Sequence, residues 1–183
     1  MREQKNRPIL ESYWVVPGRL LAGEYPAQFD EEVTRKRLDA LIEAGFDLFI
    51  DLTISDEADE ALPYRETLLE TAKTHKVKVT HLRFPIGDFG LPSPEKMNSI
   101  LDAIDEGLQA GRKIYLHCLG GIGRTGTTVG CYLVRQGKSG ADALDQLSAW
   151  WKSVPKSRYH PRSPETAKQA NFILTWAQHD KKP

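Results

Sequence analysis

The sequence predicts an α/β domain with a central, mostly parallel, twisted sheet of about five strands and helices on both faces. Short apolar, β-branched runs alternate with longer amphipathic runs along most of the chain. One strand-like run, Lys113-Ile114-Tyr115-Leu116, passes through a glycine-rich turn, His117 to Gly126, into a helical run from Thr127 to Val134. A length of 183 residues suits one domain with a sizeable core.

In chain order, residues 1–12 read as a flexible tail and 13–183 as the single domain. Tyr13 to Val16 and Arg19 to Ala22 flank the turn pair Pro17-Gly18 and read as two short strands. Asp30 caps a helix that runs to Ala44 and stops at Gly45, with Val33, Leu38, Leu41 and Ile42 as its apolar stripe. Phe46 to Leu52 reads as a central strand. Ser55 to Glu60 is an acidic loop, Tyr64 to His75 a helix, and Val77 to Phe84 an alternating strand. Pro85 to Pro92 is rich in turn formers. Ser93-Pro94-Glu95 opens a helix to about Ala110, ended by Gly111. After the glycine-rich turn and its helix, Ser139 caps a helix ending near Trp151. Lys152 to Arg162 is a basic loop, and Ser163-Pro164-Glu165 is expected to open a last helix reaching about Gln178.

Lysine plus arginine equal aspartate plus glutamate at 25 each, so net charge implies neither a nucleic-acid nor a membrane partner. The distribution is uneven. Residues 1–92 carry 12 basic and 17 acidic side chains, and residues 93–183 carry 13 and 8, so the half with the glycine-rich turn is positive and favours an anionic substrate. Two cysteines, Cys118 and Cys131, exclude a disulfide framework, and the five histidines lack metal-ligand spacing. No cofactor or metal is expected. The polar first residues and the absence of a long apolar run predict a cytoplasmic, reducing location, which suits a free thiolate. A monomer is expected.

The turn itself carries the chemistry. A strand, a glycine-rich bend and a helix N-terminus aim successive backbone N–H groups at one spot and bind an oxyanion there. Cys118 sits at its mouth and Arg124 closes it. Gly121-Ile122-Gly123-Arg124-Thr125-Gly126 also matches the dinucleotide fingerprint. That reading needs a second strand with an acidic residue near its end, whereas Asp142 and Asp145 lie on another helix. A nucleoside-triphosphate loop fails too, because no lysine precedes Thr125.

The run from His117 to Gly126, with its Cys118-x5-Arg124 spacing, resembles the active-site loop of the cysteine-dependent protein tyrosine phosphatases. Asp88-Phe89 followed by Pro92 and Pro94, thirty residues before the cysteine, is similar to the general-acid loop of the atypical dual-specificity phosphatases. The opening run Pro17 to Pro26, and Ser163-Pro164-Glu165-Thr166 with Gln169, resemble related small members. The likeness spans about residues 13–178. It implies a protein tyrosine phosphatase-like fold and a metal-independent phosphatase acting on phosphorylated proteins or peptides, on phosphotyrosine and also phosphoserine or phosphothreonine.

The resemblance implies Cys118 as nucleophile, and a helix N-terminus, loop amides and Arg124 all lower a thiol pKa. Arg124 would hold two phosphate oxygens through its planar fork. Leu119, Gly120, Gly121, Ile122 and Gly123 would supply the amides around the phosphate. Asp88 would protonate the leaving oxygen and then activate water. Thr125 has two readings, a donor to the sulfur or a threonine bonded to local backbone. Gln169 is either a water-orienting glutamine or a surface residue, and His117 is structural support rather than a base. Cys131 reads as core. Lys152, Lys156, Arg158, His160 and Arg162 should lie near the loop face as solvated charge or an anion-attracting rim, and Asp56, Glu57, Asp59 and Glu60 as solvated surface or a site for basic peptides. Tyr64 is the one candidate for a ring-stacking wall.

Alternatives are a phosphatase for inositol phosphates, phosphoinositides or RNA 5′ ends, and a non-catalytic phosphoprotein-binding module. Leu119 and Ile122 at the variable loop positions count against highly anionic substrates, and intact Cys118, Arg124 and Asp88 count against a mere binder. The low-molecular-weight phosphatase order, with the cysteine loop near the N-terminus, is disfavoured by the position of Cys118.

Overall fold

Strand alternation decides the architecture. In the computed structural model, which describes residues 6–54 and 64–181, each strand sends alternate side chains to opposite faces. Tyr13, Leu20, Ala22, Leu48, Ile50, Ile114 and Leu116 enter one core, and Trp14, Leu21, Phe49 and Tyr115 enter the other. Both faces of the sheet are therefore apolar and both must be covered, as expected of a parallel α/β sheet.

The strands are β1 (Ser12–Val16), β2 (Leu20–Gly23), β3 (Leu48–Asp51), β4 (Thr80–Arg83) and β5 (Ile114–His117). Their order is β1-β2-β5-β3-β4, with β1 antiparallel to β2 and every other pair parallel. The helices among the described residues are α1 (Glu31–Glu43), α2 (Tyr64–Thr74), α3 (Pro94–Gln109), α4 (Gly123–Arg135), α5 (Gly140–Trp151) and α6 (Ala167–Leu174), with short 3₁₀ turns at Pro155–Arg158 and Trp176–Gln178. α1 and α2 cover one face; α3, α4, α5 and α6 cover the other.

Strand β5 is central, with His117 paired to Gly23 on one side and Asp51 on the other. The chain leaves the carboxyl edge of the sheet at Cys118, where sites in such sheets form. α4 then runs inside the helical layer, buried at every residue from Gly123 to Val134. Its glycines permit this, because a Cβ at Gly126 would lie 2.3 Å from Ser163 Oγ and one at Gly130 2.3 Å from Ile173 Cδ1.

Asp30, Ser93 and Ser139 cap their helices, each accepting from a first-turn backbone N–H. Cys131 is core, as read, and burial pushes its thiol pKa up. Other expectations need correction. The helix after the glycine-rich turn starts at Gly123, not Thr127, because the turn itself winds into the first helical residues. Ser163 is not a cap: Thr166 caps α6 in a reciprocal box with Gln169, and α6 ends at Leu174. Val33 is exposed, and Thr34 replaces it on the buried stripe of α1. The strand around His81 is four residues long and only half-buried, as befits a sheet edge. Residues 6–11, assigned to the tail, carry a buried Ile9 and an Arg7 that bonds Ser12 and Ser153. The acidic run 56–60 lies outside the described residues.

The close approach of α4 and α6 is testable. Gly130→Ala should cost about 1–3 kcal/mol by forcing α6 outward, read as a lower urea midpoint with an unchanged m-value.

Candidate active site

A trans peptide points its C=O and the following N–H in opposite directions. An anion cradle made of amides therefore needs its carbonyls turned outward and satisfied there. The turn after β5 meets that demand one carbonyl at a time. His117 Nδ1 lies 3.2 Å from Cys118 O. Tyr25 N donates to Leu119 O at 2.9 Å. Lys156 Nζ donates to Gly120 O at 3.1 Å, and Ser163 Oγ to Ile122 O at 2.8 Å. The amides of Leu119, Gly120, Gly121 and Gly123 accordingly face the other way. Gly121 adopts φ +72°, and a Cβ there would sit 2.5 Å from the carbonyl carbon of Gly23, so no other residue fits without moving β2.

Beneath the turn lies a buried polar layer. His117 Nε2 is 2.7 Å from Tyr64 OH. A phenol at neutral pH donates, so Nε2 accepts and the proton sits on Nδ1, which donates to Cys118 O. Burial pushes the His117 imidazole down to about 4, against the opposing pull of Asp51. Asp51 Oδ2 accepts from Arg83 Nε at 3.0 Å, and Oδ1 accepts from the amide and hydroxyl of Thr53. Burial alone would raise the Asp51 pKa, but His117, His81 and Thr53 outweigh it and hold the carboxyl well below the usual range. Tyr64, expected as a ring-stacking wall, is thus a buried support for His117, packed edge-on against its imidazole.

The acid loop reaches the cradle from β4. Ile86 N bonds Leu52 O, and Gly90 N closes a turn on Gly87 O. Arg124, buried at the start of α4, spans the gap: Nη1 donates to Ile86 O at 3.0 Å and Nη2 to Asp88 Oδ1 at 3.1 Å. Asp88 and Arg124 are therefore together beside the loop that carries Cys118, and Cys118 is a free, buried thiol.

Gln169 is fully buried, not a surface residue. Its Oε1 accepts from the amides of Glu165 and Thr166, its Nε2 lies 3.4 Å from Gly90 O, and a Cβ on Gly123 would meet Nε2 at 2.9 Å. It is wedged between the start of α4 and the acid loop. The Thr125 hydroxyl is buried and has no hydrogen-bond partner among the described residues. Of the variable loop positions, Leu119 is 39% exposed, while Ile122 packs into the core, so its side chain does not line a substrate surface as expected. The basic segment contributes Lys156 directly to the cradle, whereas Lys152, Arg158, His160 and Arg162 are exposed. Tyr25, Lys156 and Ser163 as carbonyl anchors were not found from sequence, although two of them lie in the runs that resemble small phosphatases. Among the described residues no group of three or more His, Cys, Asp or Glu side chains is arranged to hold a metal.

The family described as Swiss Army Knife protein, DSP-PTPase phosphatase domain, matches residues 11–173. The chain belongs to this family. Protein 067L of Invertebrate iridescent virus 3, which bears a tyrosine phosphatase name, is 31% identical over 127 residues, covering 67% of this chain and 45% of that protein. This chain therefore spans less than half the length of that relative. Kinase associated phosphatase superposes with a TM-score of 0.70 at 20% identity, over 87% of this chain and 85% of that one. PTPMT1 in complex with PI(5)P does so with a TM-score of 0.68 at 14% identity, over 92% and 95%. At these identities the two structures share the DSP-PTPase fold, and the fold alone does not choose a substrate.

The neutral His117 of this DSP-PTPase domain makes a pH prediction. An imidazole with pKa about 4 when folded and 6.5 when unfolded takes up its proton on unfolding between those values. Stability from this site is whole above about pH 6.5 and falls by roughly 3 kcal/mol as pH drops towards 4. Asp51, held low, adds loss in the same direction at more acid pH. Urea midpoints should decline from pH 7 to 4.5, and His117→Gln should decline less over the same range.

Proposed function

We propose that this DSP-PTPase domain hydrolyses phosphate monoesters on proteins, phosphotyrosine and also phosphoserine or phosphothreonine, through a phosphocysteine intermediate. One observation carries the reading: the Asp88 carboxylate rests 3.1 Å from the guanidinium of Arg124 beside the outward-tied loop that holds Cys118. Asp88, Arg124 and the loop of Cys118 thus lie together, which supports their acting on one ester as acid, anion-binding fork and nucleophile.

In the first step the Cys118 thiolate attacks phosphorus and the bond to the ester oxygen breaks. Asp88, as the carboxylic acid, gives its proton to the leaving oxygen. Arg124 exchanges its contacts for two equatorial oxygens, and the amides of Gly120, Gly121 and Gly123 hold the spreading charge. In the second step water attacks the phosphocysteine, Asp88 takes the proton, and the sulfur–phosphorus bond breaks to release phosphate and restore the thiolate. The Thr125 hydroxyl, without a hydrogen-bond partner among the described residues, would be free to donate to the departing sulfur.

Protein substrates are favoured by an apolar rim. Leu119, Phe89 and Leu91 are all exposed, and Leu119 lies in the cradle turn itself. A second reading, a phosphoinositide or inositol phosphate, is supported by the exposed Lys152, Arg158 and Arg162, and by the PI(5)P bound to PTPMT1.

Cys118→Ser should abolish turnover of p-nitrophenyl phosphate while keeping phosphate-ester binding; turnover near wild type would remove the nucleophile assignment. Asp88→Asn should slow a phosphotyrosine peptide about 10²–10⁴-fold but an ester with an activated leaving group far less. The kcat/KM values for a phosphotyrosine peptide and for PI(5)P decide the class, and a higher value on the lipid would replace the protein reading.

A further inference from the structure

Among the four outward-turned carbonyls of Cys118, Leu119, Gly120 and Ile122, that of Gly120 is held by the charged side chain of a residue remote in sequence. Lys156 comes from the 3₁₀ turn after α5, and its position is over-determined. Its amide donates to Glu11 Oε2 at 2.9 Å. Its Nζ lies 2.5 Å from Glu24 Oε2, while Glu24 Oε1 takes Arg37 Nη2 at 2.6 Å. Glu24 is fixed in turn by Tyr115 OH on its carbonyl at 2.6 Å. The Lys156 and Glu24 side chains are 23% and 14% exposed, so this is no loose surface pair, the kind that contributes little.

We propose that Lys156 is a positioning residue for phosphoester hydrolysis: braced by Glu24, its ammonium keeps the Gly120 carbonyl outward and the Gly121 amide aimed at the phosphate. The peptide between Gly120 and Gly121 is the one most able to turn over, since glycines flank it on both sides. A flip would replace an inward N–H by an inward carbonyl, so a donor to the dianion would become a negative dipole facing it. Gly121 is at φ +72°, and a Cβ on it would lie 2.5 Å from the Gly23 carbonyl carbon and 2.6 Å from Glu24 N, so this arrangement sets the Gly121 backbone close against the Gly23–Glu24 peptide. Lys156 and Glu24 secure both sides of that arrangement.

The inference rests on the phosphatase reading for turnover, but not for anion binding. Lys156→Met keeps the aliphatic stem and removes the donor. It should lower kcat for p-nitrophenyl phosphate roughly 10- to 100-fold. It should also weaken inorganic phosphate binding, measured by calorimetry below the melting onset of each variant. Lys156→Arg should recover most of both. A Lys156 that merely anchors the 3₁₀ turn would lower the melting temperature and leave phosphate affinity unchanged, and that result overturns the proposal, as does a Lys156→Met protein with wild-type kcat. If the wild type binds phosphate but turns nothing over, and Lys156→Met binds it more weakly, the positioning role stands and the phosphatase reading falls.

Discussion

The rest of this structure depends on the rigidity of the peptide bond at the turn after β5. Amides can converge on an anion only if their carbonyls diverge, and each diverging carbonyl needs a partner on the outside. Those partners come from far apart in the chain: Tyr25 after β2, Lys156 after α5, Ser163 before α6, and His117 from within the turn's own strand. A local hairpin could not supply them. The sheet order, with β5 between β2 and β3, brings the end of β2 alongside the turn, and the close packing of α4 brings in the segment before α6. The fold is thus the means by which one short run of backbone is held with its amides inward.

The same demand extends downward. Holding the Cys118 carbonyl through His117 fixes one tautomer, which needs a donor at Nε2, and Tyr64 supplies it. The imidazole is consequently neutral and buried, and its charged neighbour Asp51 is stabilised by Arg83 and Thr53 rather than by solvent. Isolated buried charge would cost several kcal/mol. Here each member has a partner, so the layer fixes the loop instead of weakening it.

Sequence made the local frame around Cys118 more legible than its tertiary supports. The strand, glycine turn and helix around Cys118 are local, and so is the Asp30 cap; both are readable because their interactions span a few residues. The role of Tyr64 is not legible in this way, because an aromatic residue near a loop says nothing of which way it points, and tertiary packing turns it inward under His117. Ser163-Pro164-Glu165 looks like a helix start, but the Ser163 hydroxyl is committed to Ile122 O, and the helix begins only where Thr166 and Gln169 can cap one another. Lys156 stood out only as one charge in a basic run, because nothing in spacing links it to Gly120, thirty-six residues away.

Arg124 joins these levels. A buried guanidinium must have its donors satisfied, and it bonds Ile86 O and the Asp88 carboxylate of the acid loop. The group proposed to grip the phosphate therefore also holds the residue proposed as the acid, so in that reading the two roles would not be independent. Gln169 reinforces the link from the other side, capping α6 while its amide nitrogen reaches Gly90 in the same acid loop and its side chain packs on Gly123. Phe89, at φ 53° between Asp88 and Gly90, completes the turn in a conformation that a bulky residue adopts only under constraint. Strain of that kind persists where its surroundings over-determine it, and here those surroundings are the Gly90 N–Gly87 O bond that closes the turn together with the contacts of Arg124 and Gln169. The acid loop is therefore held by the cradle as well as by its own Gly87–Gly90 turn, and in the proposed reading a substrate that engages Arg124 would act on Asp88 through the same side chain.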